Sequence, residues 1–428
     1  MTSFTIIPIG CGHYRSDTEQ MAGLLVQAKF EILPDADNAD IVILYIASKN
    51  MEIALWEKLD SLEKQYPHKM YILAGCLPTH NQERVAKYSI LGVRQIHHIV
   101  EIVEEVLHEN KVEFLDAKEL PPLHLPRVRS NTLIQSIPIA RGCRGVCHYC
   151  KCKKKSLESY NAAEIKKEVQ TTIQLGAREI WLSSPDLAAY GVDLKTNFPS
   201  LLGELVEIPG DFMIHLGRMS IEHLHKIGEE LVAIYKHEKI HKYLHLPLYS
   251  SSPVALKSTK KKYTPLQYQT VAQLFREKIR DLNLEIDILV GHPEETDEDF
   301  WLLQGFIRAI NPDKINLIFY SERLHGPVSS PALPLEELGR RASVLTDIHN
   351  NLSKLQNERW LGWEGNIIIE QKAETENQWI GRNYAYKPLW VEGDFRPGDV
   401  ISVKITRLQA GDLKAERIPI SQLKSAKD

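Results

Sequence analysis

Residues 139–150 read Ile139-Ala140-Arg141-Gly142-Cys143-Arg144-Gly145-Val146-Cys147-His148-Tyr149-Cys150. An apolar stretch runs into three cysteines spaced C-x3-C-x2-C. Thiolates are soft, anionic donors, and at this spacing each can bind one iron of a four-iron cluster. The fourth iron then has no protein ligand, which suits a cluster that binds and cleaves a cofactor instead of only passing electrons. Gly142 and Gly145 let the backbone wrap closely round an inorganic core. Zinc is the alternative, with Cys152 or His148 as fourth ligand. Zinc sites usually pair C-x2-C units, however, and do not follow the first strand of a βα series.

Downstream of the loop, apolar strand segments at 136–140, 179–183, 212–216, 242–248, 285–290 and 314–319 alternate with amphipathic helical stretches. Six βα units in order predict a partial (β/α)6 barrel with its site at the carboxyl ends of the strands. Upstream, strands at 4–9, 40–46, 69–74 and 93–99 alternate with helices, which predicts a doubly wound parallel sheet. Beyond residue 357 the chain turns β-rich. Ile401, Val403 and Ile405 alternate with Ser402, Lys404 and Thr406, the period of a half-buried strand in a small all-β barrel. The fold class is therefore α/β with an all-β end. Its expected parts are an α/β domain at 1–115, a Pro-rich linker at 116–134, the βα barrel at 135–357 and the β-barrel at 358–428.

The 52 basic and 56 acidic residues leave a net charge of −4, so any nucleic-acid affinity must come from a local patch. No apolar run approaches the roughly 20 residues that a membrane helix needs. The N-terminal sequence has neither a basic n-region nor a cleavage site. The expectation is a cytoplasmic protein without membrane contact.

The C-x3-C-x-aromatic-C loop after the first strand of a βα barrel resembles the radical S-adenosylmethionine (SAM) superfamily. The resemblance implies SAM bound at the open iron of a [4Fe–4S] cluster on Cys143, Cys147 and Cys150. It also implies a 5′-deoxyadenosyl radical and an electron donor such as a ferredoxin or flavodoxin. Further motifs narrow it to the methylthiotransferases: GCGHYRSDTEQMAGLL around Cys11, LAGCLPTH around Cys76, DILVGHPEETDEDF at 287–300 and GRNYAYKPL at 381–389. The last string, in a TRAM-like barrel, is most similar to the branch acting on N6-threonylcarbamoyladenosine beside the tRNA anticodon. A tRNA partner and a monomeric enzyme are expected.

That family carries a third N-terminal cysteine after its second strand, where this chain has Tyr45-Ile46-Ala47. Alanine cannot ligate iron. Cys11 and Cys76 then have three readings: buried small hydrophobes, ligands of an atypical second iron–sulfur cluster, or another metal or redox pair. Tyr249, Ser251, Lys261, His292 and Glu294 also depart from the family pattern, and Pro185 stands where Gln is usual.

By resemblance, Tyr149 packs beside the adenine of SAM. Ser184, Ser250 and Asp287 are polar residues at predicted strand ends, where ligand groups are commonly met; each could equally cap a helix or turn. The run Lys153, Lys154, Lys155 is expected to attract phosphates. Arg382, Asn383, Tyr384 and Lys387 combine cations and aromatic or amide groups in one short stretch, which suits unpaired RNA; the alternative is a packing turn of the barrel. His237, His241 and His245 span different elements and are not expected to share a metal.

Overall fold

The structure is a computed structural model that describes residues 1–10, 15–48, 51–77, 82–115, 120–145, 157–321, 330–374, 377–409 and 412–418. It falls into two compact units, Met1–Gly142 with Glu158–Leu175, and Cys143–Leu157 with Gly176–Asp428.

In the first unit, the elements are β1 (Ser3–Ile9), α1 (Arg15–Gln27), β2 (Glu31–Ile32), β3 (Ile41–Ile46), α2 (Glu52–Gln65), β4 (Met70–Gly75), α3 (Gln82–Val85), β5 (Ser89–Gly92), α4 (Ile99–Leu107) and β6 (Glu113–Phe114). The strands form one parallel sheet in the order β2-β1-β3-β4-β5-β6. All six residues of β3 are buried, as expected for a strand covered on both faces. Ile41, Ile43 and Tyr45 pack with Met21, Leu25, Ile99 and Val103, while Val42, Leu44 and Ile46 pack with Leu55, Trp56 and Leu59. One expectation is corrected: residues 93–99 form no strand. Ile96, Ile99 and Val103 recur at helical spacing and are fully buried, so the stretch forms a turn and a short 3-10 helix (Ile96–His98) that runs into α4, and the strand is the preceding Ser89–Gly92. The unit also contains β7 (Ile134–Pro138), β8 (Ala140–Arg141), β9 (Glu158–Ser159) and α5 (Ala162–Gln174).

In the second unit, β10 (Glu179–Ser183), α6 (Phe198–Val206), β11 (Met213–Leu216), α7 (Ile221–Tyr235), β12 (Tyr243–His245), α8 (Pro253–Ser258), α9 (Pro265–Lys278), β13 (Asn283–Val290), α10 (Asp297–Ile310) and β14 (Lys314–Phe319) continue the βα series. β10 pairs with β11, and β12, β13 and β14 pair in order, all parallel. Side chains Thr264 and Thr296 start α9 and α10 with reciprocal caps to Gln267 and Asp299. The 24-residue helix α11 (Leu335–Glu358) precedes a closed barrel of β15 (Glu364–Lys372), β16 (Gln378–Arg382), β17 (Pro388–Glu392), β18 (Val400–Gln409) and β19 (Asp412–Arg417). Ile401, Val403 and Ile405 line its core, and Lys404 points out. Among the described residues, no helix is long and apolar enough to cross a membrane.

Candidate functional site

Cys11, Cys147, Tyr149, Cys150, Lys153, Lys154 and Lys155 lie outside the described residues. Cys143 is described and half-buried; the Gly145 N–H points at its Sγ from 3.2 Å. Gly142 sits at φ +75°, a left-handed turn that glycine adopts without strain. A backbone donor on the sulfur and a tight turn before it are what a thiolate ligand of an iron–sulfur core uses. The three-cysteine donor set fits the cluster.

The N-terminal crevice is different. Ile9 pairs with Ile46 and Ile46 with Gly75, so the carboxyl ends of β1, β3 and β4 lie side by side. Ala47 N–H donates to Ile9 O at 3.0 Å and Cys76 N–H to Ile46 O at 2.8 Å. Between β1 and β3 the strand order reverses, the place where open α/β sheets bind ligands. Here that place presents the Ala47 methyl, buried and close enough that a Cβ on Gly10 would lie 2.6 Å from it. The residues do not fit a three-thiolate cluster.

Inside the second unit, Glu179, His215, His245, Glu285, Asp287 and Asn316 place polar side chains at alternate positions of the strands, where a structural barrel would place branched hydrophobes. Asp287 is buried; its carboxylate meets His245 Nε2 at 3.0 Å, Asn316 Nδ2 at 2.9 Å and the Arg218 guanidinium at 3.8 Å. Burial pushes its acidity down, but His245, Arg218 and Asn316 outweigh this and hold the pKa at about 2. Asn316 also donates to Glu285 at 2.7 Å, and Tyr243 OH donates to the other Glu285 oxygen at 2.9 Å. Ligand atoms of His245, Glu285 and Asp287 lie within 4.8 Å of one another, but these hydrogen bonds already engage them. Arg218 donates to Tyr249 OH at 2.5 Å, and the Lys261 ammonium lies 4.1 Å above the Tyr249 ring. Tyr249 and Lys261, two of the positions that depart from the pattern the sequence resembles, thus meet each other.

Ser250 is buried and donates to Glu295 Oε1 at 2.8 Å; burial pushes the Glu295 carboxyl up to about 7 against that bond and Arg341. Ser184 accepts the Asp186 N–H at 3.2 Å, and Asp186 in turn holds the Ser220 N–H at 2.9 Å and His223 at 2.7 Å. Sequence reasoning missed Arg218, Glu285 and Asn316, and considered His245 only as a metal ligand. For His245, Glu285 and Asn316 the signal was present: polar residues at alternate positions of otherwise apolar strands; Arg218, two residues beyond β11, carried none.

The stretch 382–387 enters the amino-terminal end of this barrel. Tyr386, at φ +60°, lays its ring 4.1 Å from His215 and 5.3 Å from Tyr243, with the Arg382 guanidinium 4.2 Å from its ring centre. Lys387 Nζ is buried between Asp313 at 2.9 Å and Asn357 at 3.0 Å. Asn383 Oδ1 accepts the N–H groups of Ala385 and Lys387, both at 3.0 Å, and so shapes the turn. Asn383 and Lys387 are therefore turned to the interior, where they hold the β-barrel to the βα barrel instead of facing RNA. Arg382 is engaged by Glu370 at 2.9 Å. Tyr384 lines an open groove. His241 faces the Tyr386 ring while His245 binds Asp287, so these histidines do diverge.

Comparison with known proteins gives three family matches: the Radical SAM superfamily over residues 137–307, Uncharacterized protein family UPF0004 over 3–92, and the TRAM domain over 361–418. The probable threonylcarbamoyladenosine tRNA methylthiotransferase of Pyrococcus abyssi is 33% identical, over 95% of this chain and 99% of the relative. Threonylcarbamoyladenosine tRNA methylthiotransferase of Homo sapiens is 30% identical, over 89% of this chain and 68% of the relative. Among solved structures, apo cobalamin-dependent S-adenosylmethionine radical enzyme OxsB superposes with a TM-score of 0.52 at 11% identity. That match covers 72% of this chain and about half (52%) of the other, and it shows a shared fold.

Proposed function

The chain belongs to the threonylcarbamoyladenosine tRNA methylthiotransferase family of radical SAM enzymes, and from that premise we propose that it acts on a modified adenosine beside the tRNA anticodon. The observation that carries the reading is the three-cysteine loop leading a βα series with a polar interior, in a chain that pairs end to end with relatives so named. Cys143, Cys147 and Cys150 would hold the [4Fe–4S] cluster, which when bound supplies the electron for reductive cleavage of SAM. Tyr149, Ser184, Ser250 and Asp287 are the residues proposed to seat SAM. Asp287, ionised at any physiological pH, can accept hydrogen bonds from hydroxyl or ammonium groups there. Arg218 beside it offsets the buried negative charge. Lys153, Lys154 and Lys155 would gather tRNA phosphates. A ferredoxin or flavodoxin would deliver the electron, in the cytoplasm, to a monomer.

Ala47 favours a second reading: an RNA-modifying radical enzyme of the same family in which sulfur insertion is weakened or lost. A methyl group occupies the place of one thiolate, and a two-cysteine crevice holds a second cluster weakly or in another form.

Anaerobically reconstituted protein, reduced in the presence of SAM, should form 5′-deoxyadenosine, and Cys143→Ala/Cys147→Ala/Cys150→Ala should not. Product from the triple variant would overturn the assignment. Mass spectrometry of nucleosides from treated tRNA separates the readings: a methylthio-nucleoside supports the first, and a different modified adenosine supports the second.

A further inference from the structure

The second unit has a groove of about 410 Å³ that the chemistry above does not use. It lies at the amino-terminal ends of β12 and β13, one barrel length from the strand ends that carry Ser184 and Ser250. Lys236, Lys242, Lys278 and Arg280 line it with a single carboxylate, Asp281, and two aromatic side chains, Trp363 and Tyr384.

Part of the groove's charge serves the helices. Lysines at helix C-termini offset the helix dipole, and Lys236 and Lys278 stand at the ends of α7 and α9. At α7 that task is already performed by Lys242, whose Nζ donates to Tyr235 O, His237 O and Ile240 O at 2.7, 2.6 and 2.9 Å. Lys236 adds a second cation to the same end and is exposed, as are Lys278 and Arg280. Asp281 does not balance them: it accepts from Tyr384 OH at 2.6 Å and meets Arg280 at 3.4 Å, a pair whose arginine is almost wholly in water.

The opposite wall is unsaturated. The Trp363 and Tyr384 rings lie 6.1 Å apart at 44°, both half-buried, and the Asp281 bond fixes the tyrosine. Cations on one wall and ring edges and faces on the other match a nucleotide that is not base-paired. Its base stacks on an aromatic side chain and its phosphates face the ammonium and guanidinium groups. An acidic peptide would use the cations and leave the aromatic wall unexplained.

We propose that this groove, lined by Lys236, Lys278, Arg280, Trp363 and Tyr384, binds an unpaired nucleotide of the RNA substrate at a distance from the reacting base. The inference rests on the RNA-modifying reading above. Such a site anchors the RNA on the far end of the barrel and leaves the strand ends to the chemistry. It also gives Tyr384 a ligand while its neighbours Asn383 and Lys387 hold the two barrels together.

The test uses the full chain and bulk deacylated tRNA. For Lys236→Gln/Lys278→Gln/Arg280→Gln, whose side chains are exposed, the thermal melt should not move. Affinity at about 0.1 M salt should fall at least tenfold. The slope of log affinity against log salt should flatten by about two, three single-strand contacts at about 0.7 each. In the wild type, tRNA should shield Lys278 from acetylation, read by mass spectrometry. Trp363→Phe should retain binding that Trp363→Ala loses. If wild type binds tRNA and the triple variant keeps its slope while Lys278 stays reactive, the groove is not an RNA site. If the triple variant instead loses only binding to poly-glutamate, the groove is a protein site and the proposal fails. No tRNA binding by wild type would sink the RNA reading itself, a separate result.

Discussion

Arg141 and Asp17 form a buried, two-pronged ion pair, with the guanidinium 2.6 and 3.0 Å from the two carboxylate oxygens. Burial works against the Arg141 charge, but Asp17, Tyr160 and Tyr45 hold its pKa well above the ordinary value. The pair ties α1, which follows Cys11, to β8, which leads into Cys143. Tyr45 OH adds a third bond to Asp17 at 2.5 Å. Removing one partner of such a pair leaves a buried, uncompensated charge, and Asp17→Asn should cost roughly 3–5 kcal/mol in urea unfolding. Asp17→Asn/Arg141→Met should lose clearly less than the two single changes together. Additive losses would mean that the two residues do not act as a pair.

Ala47→Cys should raise iron and sulfide towards eight of each per chain, the content of two four-iron clusters, where wild type should give about four. The new thiol would join Cys76 at adjacent strand ends. Mössbauer spectra of both proteins make the comparison. Two stable clusters in wild type would show that another ligand replaces the missing cysteine.

Glu295 should make stability fall as pH rises. Its carboxyl goes from an ordinary 4.5 to about 7 on folding, so the native state binds the extra proton between those values. The penalty is absent below about pH 4.5, grows through the interval and is complete above 7, at roughly 3 kcal/mol. Glu295→Gln, which keeps an acceptor for Ser250, should flatten that slope in urea melts at pH 5 and 8. Asp287 acts in the opposite sense: its contribution is present above 3.8 and is lost as pH falls towards 2.

Lys387→Met should destabilise the second unit by roughly 3–5 kcal/mol, because Asp313 would keep a buried charge with less compensation. Arg276 at 2.8 Å, and the Leu284 N–H at 2.9 Å, still hold Asp313, which favours the lower end of that range. A melt unchanged within 0.5 kcal/mol, about the size of an exposed pair, would show that the buried lysine does not clamp the barrels.

The strands were legible where apolar residues run or alternate, as in Ile41–Ile46 and Val400–Gln409. Where two periods compete, as at residues 93–99, the helical one prevailed because Ile96, Ile99 and Val103 share a buried face. The cysteine loop was read from spacing and from its place after an apolar strand; of its three cysteines, Cys143 lies among the described residues. The fate of 382–387 was not, because its cations and aromatic rings look alike whether they meet RNA or protein. What decides is contact across large separations: Tyr384 with Asp281, 103 residues away, and Ala385 with Asn283, 102 away. No local pattern encodes those encounters.

Because Tyr386 and Lys387 seal the βα barrel from below, that barrel is finished by a segment made long after its own strands. During synthesis at about 5–20 residues per second, the roughly 70 residues between Asn316 and Tyr384 take some 3–14 seconds to follow. For that interval the inward-facing Glu179, His215, Tyr243 and Glu285 stand at an unsealed end on the ribosome-bound chain. A nascent chain stalled before residue 384 is therefore a distinct species, with its strands made and its floor missing, and it is the form that chaperones and proteases would meet.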